Sequence, residues 1–388
     1  MSIFNNFEVA FKDKSNYDLN RAYFLFKVIS LPYISKLLIN LVKLAISLKL
    51  PIEFFVKKTI YSHFCGGVSV KKSQNTIDKL WKSNIGTILD FSAEGKEKQE
   101  DFNRVLNETL LSIKKAKELQ SIPFAVFKTT GLVRFSLLEK ISSEEKLNKR
   151  ENEEKEDFIK RFYKICEEAN KNNVSVFIDA EESWIQNAID DIVLEMMLKF
   201  NSKKVIIFNT IQFYRNDRIN YLKKIIKTAN QKKIKIGVKI VRGAYHEKEI
   251  ERALEKGYKI PVHIKKEETD KDFNEALKIC IKNLDIISLC AGTHNEESSQ
   301  FLIDLMSKYK IKKNDQRVYF SQLLGMSDNI SYNLSKQGYN VAKYVPYGPV
   351  RDLLPYLIRR AEENTSISGQ MGRELTNIIL EKKRRKND

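Results

Sequence analysis

From residue 86 onward, short runs rich in β-branched and aromatic residues alternate with longer stretches of mixed polar and apolar character. The pattern predicts eight strands, at residues 86–91, 123–128, 174–179, 204–212, 235–241, 285–290, 318–323 and 340–345. Near-continuous apolar strands mark a parallel sheet covered on both faces, and their alternation with helical stretches marks βα units. Eight such units predict an α/β fold, a distorted (βα)8 barrel of TIM type, rather than an open doubly wound sheet. No Gly-x-Gly-x-x-Gly follows the first strand, so the dinucleotide-binding fingerprint is absent. The highly charged stretch 143–160 reads as an outer helix facing solvent.

Residues 1–85 follow a helical pattern. Residues 23–56 are strongly apolar, but Lys27, Lys36, Lys43 and Lys49 interrupt them, leaving no run of the roughly 18 apolar residues a spanning helix needs. Helices divided near Pro32 and Pro51 fit better, either packed on the barrel as a cap or lying in a membrane interface. Glu8 and Asp13 argue against a secretory signal and weaken a transit-peptide reading. The expected organisation is a helical region at 1–85, a barrel at 86–380 and a basic tail at 381–388.

Composition narrows the function classes. The 388 residues are 42% hydrophobic and 30% charged, which excludes a disordered or collagen-like chain. The formal charge is +18, with a dense run from Lys382 to Lys386. No basic stripe interleaved with aromatics and no reading helix accompanies it, so nucleic acid is not expected, while an anionic membrane surface stays open as a partner. Cys65, Cys166, Cys280 and Cys290 are scattered, without a CxxC pair or a histidine at ligand spacing. That points to a reduced compartment and to no metal site.

Barrels of this type place their chemistry at the strand C-termini. The predicted strands end on or beside Asp90, Lys128, Asp179, Gln212, Lys239 with Arg242, Thr293 with His294, Gln322 and Tyr344. A Lys or Asp finishing an apolar strand is held near the barrel mouth. After the eighth strand, Asp352 reads as a helix N-cap, with Pro355 in the first turn. Tyr356, Arg359, Arg360 and Glu363 then share one face. Two guanidiniums with a Glu one turn on can clamp a carboxylate, or can form an ordinary surface ion-pair cluster. His63, His246 and His263 read as packing or surface residues.

Seven segments in order, LDFSAEG (89–95), FKTTGL (127–132), IDAEE (178–182), VRGAYHEKE (241–249), GTHNEE (292–297), LLGMSD (323–328) and YLIRRAEEN (356–364), resemble the proline dehydrogenase family. The match runs from the first barrel strand through the eighth helix, and the helical region before it looks similar. The closest resemblance is to monofunctional members. It implies noncovalent FAD and oxidation of L-proline to Δ1-pyrroline-5-carboxylate, with hydride passing from proline C5 to flavin N5. It also implies a membrane quinone as acceptor, with peripheral membrane contact, and a pyrroline-5-carboxylate dehydrogenase downstream. The expected location is the cytoplasmic face of the cell membrane, or the mitochondrion if the source is eukaryotic.

The resemblance assigns Lys128, Arg359 and Arg360 to the proline carboxylate, with Glu363 relieving repulsion among the cations. Leu323, Tyr344 and Tyr356 would wall the ring, and Tyr344 favours proline over hydroxyproline. Asp179, Lys239 and Tyr344 form the catalytic set. Ala180, Gln212, Lys239, Val241, Arg242, Gly243, Ala244, Tyr245, Thr293, His294 and Asn295 would contact FAD. One departure stands out: bifunctional bacterial members carry Arg at the position of Lys239, and Lys lacks the planar fork. Two other readings stay open. One is an FAD barrel like methylenetetrahydrofolate reductase without the Arg-Arg-Glu clamp; the other is a basic membrane- or nucleic-acid-binding protein that has lost catalysis.

Overall fold

A computed structural model describes residues 2–48, 50–92, 97–366 and 370–387, with the side chains at 32, 43, 46, 47, 362–366, 370 and 371 outside the described set. Eight parallel strands close in sequence order: β1 (Ile85–Phe91), β2 (Phe124–Lys128), β3 (Ser175–Asp179), β4 (Ile207–Gln212), β5 (Ile236–Val241), β6 (Ile287–Gly292), β7 (Val318–Leu323) and β8 (Val341–Tyr347). Ile85 pairs with Val341 and Phe91 with Tyr347 where β8 returns to β1. Each predicted strand is present, displaced at its ends by at most a few residues.

The barrel interior is filled by aromatics near the strand starts. Phe124 stacks on Phe177 at 4.3 Å, while Phe208 and Tyr319 meet it edge-on. Such pairs add about 0.5–1.5 kcal/mol beyond their buried area. They form a floor, which leaves the strand C-termini to line the mouth. A larger core lies between barrel and helices, and a second cluster joins the amino-terminal helices to the last two. In this second cluster Leu19, Phe26 and Phe64 pack with Leu353, Leu357 and Ile378.

The early helices run Asn16–Ile29, Pro32–Ser47 and Glu53–Val56, broken at the two prolines as the sequence predicts. Beyond them the chain is stitched to the end of β8. The Gly66 N–H donates to the Pro346 carbonyl (2.8 Å), the Gly348 N–H to the Gly67 carbonyl (3.0 Å), and the Tyr61 hydroxyl to the Gly348 carbonyl (2.9 Å). Pro346 lacks an N–H, yet its carbonyl is used in this seam, so β8 runs past Tyr344 to Tyr347.

That extension corrects the reading of the next helix. Gly348, at φ +141°, turns the chain, and the Pro349 carbonyl accepts from the N–H groups of Asp352 (3.0 Å) and Leu353 (3.3 Å). The helix therefore spans Val350–Ser366, and Asp352 lies inside its first turn instead of capping it. Its carboxylate pairs with Arg104 at 3.2 Å. Pro355 sits within the helix. The basic run 382–386 belongs to the helix Gln370–Asn387, where Arg384 and Arg385 bond to Glu381 at 2.8 and 2.6 Å.

Under the β7 end lies a buried charge network. Lys343 is wholly buried and pairs with Asp328 at 2.8 Å, and Lys14 reaches Asp328 at 3.4 Å. Burial alone would raise the Asp328 carboxyl, but Lys343 and Lys14 hold it well below its usual range. Ser327, in the left-handed region at φ 50°, donates its N–H to buried Glu374 at 2.7 Å. Burial pushes Glu374 up to about 7 despite that bond.

Asp328→Ala strands the Lys343 ammonium and is expected to cost about 3–5 kcal/mol, read as a lowered denaturation midpoint. Glu374 titrates higher folded than unfolded, so its stabilisation is full below about pH 4.5 and fades as pH rises through about 7. Glu374→Gln lacks that loss. A comparison of Tm against pH should therefore show the variant gaining on the parent between those values; parallel profiles would refute the assignment.

Candidate active site

The register of the sheet brings the strand-end residues together. Lys128 on β2 is level with Asp179 on β3, and Tyr344 on β8 is level with Leu323 on β7 and Ile88 on β1. Asp179 is the hub. It accepts from Lys239, and from the Tyr344 hydroxyl at 2.5 Å, while the Lys128 ammonium lies 3.4 Å away. Burial by itself would raise this carboxyl. The ammoniums of Lys239 and Lys128, with the two hydrogen bonds, outweigh burial and hold it below the usual range. Burial, reinforced by the Asp179 charge, pushes the Tyr344 phenol well above its ordinary value. Tyr344 is thus a neutral donor.

Two partners of this cluster were not assigned roles from sequence. Asp90, 1% exposed at the end of β1, pairs with Lys128 at 3.2 Å and accepts from Ser92. Its signal was its place at a strand end. Phe177 carries no such signal, because an inward Phe reads only as core. Its ring lies 5.2 Å from the Lys239 ammonium, which also sits 4.8 Å from the Tyr344 ring. Lys239 is therefore held between two aromatic faces and a carboxylate.

Arg359, Arg360 and Tyr356 follow on the Val350–Ser366 helix. Tyr356 is buried, and the Arg360 guanidinium lies 5.5 Å from its ring. The side chain of Glu363 lies outside the described residues, as do residues 93–95 of the first motif.

The remaining predicted residues gather on β4 to β6. Gln212 ends β4 and is 3% exposed, and among the described residues its Oε1 has no hydrogen-bond partner. Ala180 and Val241 are partly buried at the ends of β3 and β5. Arg242 reaches across to β6: its Nε bonds to Asp270 and one terminal nitrogen to Thr293 Oγ1, both at 2.7 Å, and the other bonds to Ser298 at 2.9 Å. Its plane covers Phe273 at 4.3 Å. Gly243 takes φ +134°, and a Cβ there would sit 2.4 Å from the Tyr214 ring, so no other residue fits. Ala244 is exposed and Tyr245 half-buried.

Asn295 caps the following helix by accepting from the Ser298 N–H at 2.8 Å. His294 Nδ1 and the Ser327 hydroxyl lie 2.9 Å apart. Burial, with Lys343, Arg360 and Arg242 nearby, pushes its imidazole down to about 3, so it is neutral. The other histidines keep structural partners. His63 bonds to the Gly325 carbonyl (2.8 Å), His246 to the His263 carbonyl (2.8 Å), and His263 to Asp272 (2.8 Å).

The family model described as proline dehydrogenase matches residues 73–373. "Proline dehydrogenase 1, mitochondrial" of Dictyostelium discoideum is 32% identical, covering 96% of this chain and 73% of its own. The carbapenem antibiotics biosynthesis protein CarD of Pectobacterium carotovorum is 34% identical over 83% of each chain. Hydroxyproline dehydrogenase of Xenopus laevis is 29% identical over 97% of this chain and 88% of its own. Among solved structures, proline utilization A of Bdellovibrio bacteriovorus superposes with a TM-score of 0.73 at 20% identity, over 96% of this chain and 40% of that longer one. At that identity the likeness bears on the fold alone: an eight-stranded barrel with helices before it. The family match covers the whole mouth from β1 through Arg359 and Arg360, and the chain belongs to the proline dehydrogenase family of oxidoreductases.

Proposed function

We propose that this chain oxidises L-proline to Δ1-pyrroline-5-carboxylate with noncovalently bound FAD. The electrons pass on to a membrane quinone through peripheral contact, and the product goes to a pyrroline-5-carboxylate dehydrogenase. The observation that carries the reading is the barrel mouth in which Asp179 gathers Lys128, Lys239 and the Tyr344 hydroxyl.

The residues present fit the cofactor. Gln212 holds a buried amide oxygen without a partner, which costs about 1–3 kcal/mol and would be satisfied by an N–H on the edge of a flavin ring. Lys239 would face the flavin, with Val241 to Tyr245 and Thr293 to Asn295 along its phosphate and ribose portions and Ala180 beside it. When bound, FAD supplies the two-electron acceptor that takes hydride from proline C5.

The chain itself binds, orients and sets charge. Arg359, Arg360 and Lys128 receive the carboxylate, and Leu323, Tyr344 and Tyr356 pack the ring. Positive charge around the substrate disfavours its ammonium form, leaving the ring nitrogen with the lone pair that becomes the C=N bond. Asp179 stays anionic between its ammonium partners, so it anchors charge and does not store the substrate's proton. The Tyr344 ring occupies the space a 4-hydroxyl would need, which favours proline although a relative of similar identity is named for hydroxyproline.

Three measurements test this. Anaerobic L-proline should bleach the flavin absorbance of the purified protein; an unchanged spectrum would sink the proposal. Lys239→Ala should retain FAD while slowing flavin reduction at least tenfold in a single turnover, and a normal rate would remove Lys239 from the chemistry. Tyr344→Ser should raise kcat/KM for hydroxyproline relative to proline, whereas an unchanged ratio would show that this ring does not set specificity.

A further inference from the structure

The Pro32–Ser47 helix turns large apolar side chains outward. Ser35 is 3% exposed, while Tyr33, Leu37, Leu41 and Leu44 stand 92, 59, 51 and 54% exposed. Three- and four-residue spacing puts these on one stripe. A helix on a water-facing protein turns such a stripe toward the core. Here the stripe continues outward into Leu48 and Leu50, and then into Phe54 and Phe55 at 60 and 71%. An apolar surface this extended marks an interaction site.

The surrounding charge identifies the kind of partner. Between residues 19 and 77 the sequence has nine lysines and arginines against one acid, Glu53. Glu53 is already paired with Arg351 at 2.5 Å. Lys27, Lys36, Lys57 and Lys58 are exposed, and the Lys58 ammonium lies 4.2 Å over the Phe54 ring. A second copy docked through the same face would set these lysines against their own images. An anionic, apolar-cored surface satisfies both features.

We infer that this face, from Tyr33 to Leu48 and from Leu50 to Phe55, lies in the headgroup region of an anionic lipid bilayer, its leucines and phenylalanines in the acyl boundary, with Lys36, Lys57 and Lys58 among the headgroups. The inference deepens the proposed function, on which its purpose rests. The back of the Pro32–Ser47 helix packs on the helix that carries Arg359 and Arg360. Docking therefore places the helix that carries Arg359 and Arg360 about one helix diameter, ~10 Å, from the lipid that dissolves a quinone.

The helix lies on the bilayer and does not cross it. Among the described residues no single helix is long and apolar enough to cross, and the one candidate pair is bent by 96°. The first helix of that pair also keeps Leu19 and Phe26 in the protein core.

The test is co-sedimentation of the full, flavin-loaded chain with vesicles rich in phosphatidylglycerol and, separately, of phosphatidylcholine alone. Binding is expected to the anionic vesicles, to weaken with salt, and to be slight on the neutral ones. The pair Leu37→Glu and Leu41→Glu should lower the partition coefficient at least tenfold, and Lys57→Gln and Lys58→Gln about fivefold each. All these variants should keep the parent's rate of flavin bleaching by proline, which shows that they are folded. Intact bleaching without vesicle binding overturns the inference, as does binding that the leucine variants leave unchanged or a dimer that they break. Vesicle binding by a parent protein that proline does not bleach would leave this surface standing and remove the proposed function instead.

Discussion

The mouth of the barrel depends on one buried carboxylate. Two ammoniums brought to one site repel each other, and the low effective dielectric of a protein interior strengthens that cost. Lys128 and Lys239 share Asp179 and so avoid that cost, and Asp90 supplies a second carboxylate behind Lys128. The four charges balance within the barrel. Arg359 and Arg360 arrive from the helix after β8 and not from the sheet.

How much of this could be read from the chain depended on whether each signal was local. The strands are visible because a parallel sheet covered on both faces must be apolar nearly throughout. Asp179 and Lys128 stand out because ionisable groups finishing such strands require partners. The start of the helix at Val350 was misread because its cause is distant: the turn at Gly348 is held by Gly67 and Tyr61. Glu374 was invisible for the same reason. A glutamate in a basic, polar helix looks solvated until Ser327 is found above it. Lys343 was legible in principle, as a lysine within an apolar strand, but its partner Asp328 was not.

The formal charge of +18 divides accordingly. Some of it is turned inward against carboxylates and aromatic faces, as at Lys239 and Arg242. Some is neutralised pairwise on the outer helices, where exposed ion pairs contribute little to stability. The unbalanced remainder is concentrated on the first helices, where few acids accompany it.

The seam between residues 61–67 and the end of β8 has a consequence for how the molecule comes to be. A segment made early in synthesis waits for a partner 287 residues later, and β1 waits from Ile85 to Val341 for β8. Contacts of such separation are slow to form, because the entropy of the intervening loop must be lost first. Barrel closure and docking of the leading helices are thus late, joint events. Until then the apolar inner face of those helices has nothing to cover it, and the nascent chain passes through its most aggregation-prone state just before it becomes an enzyme.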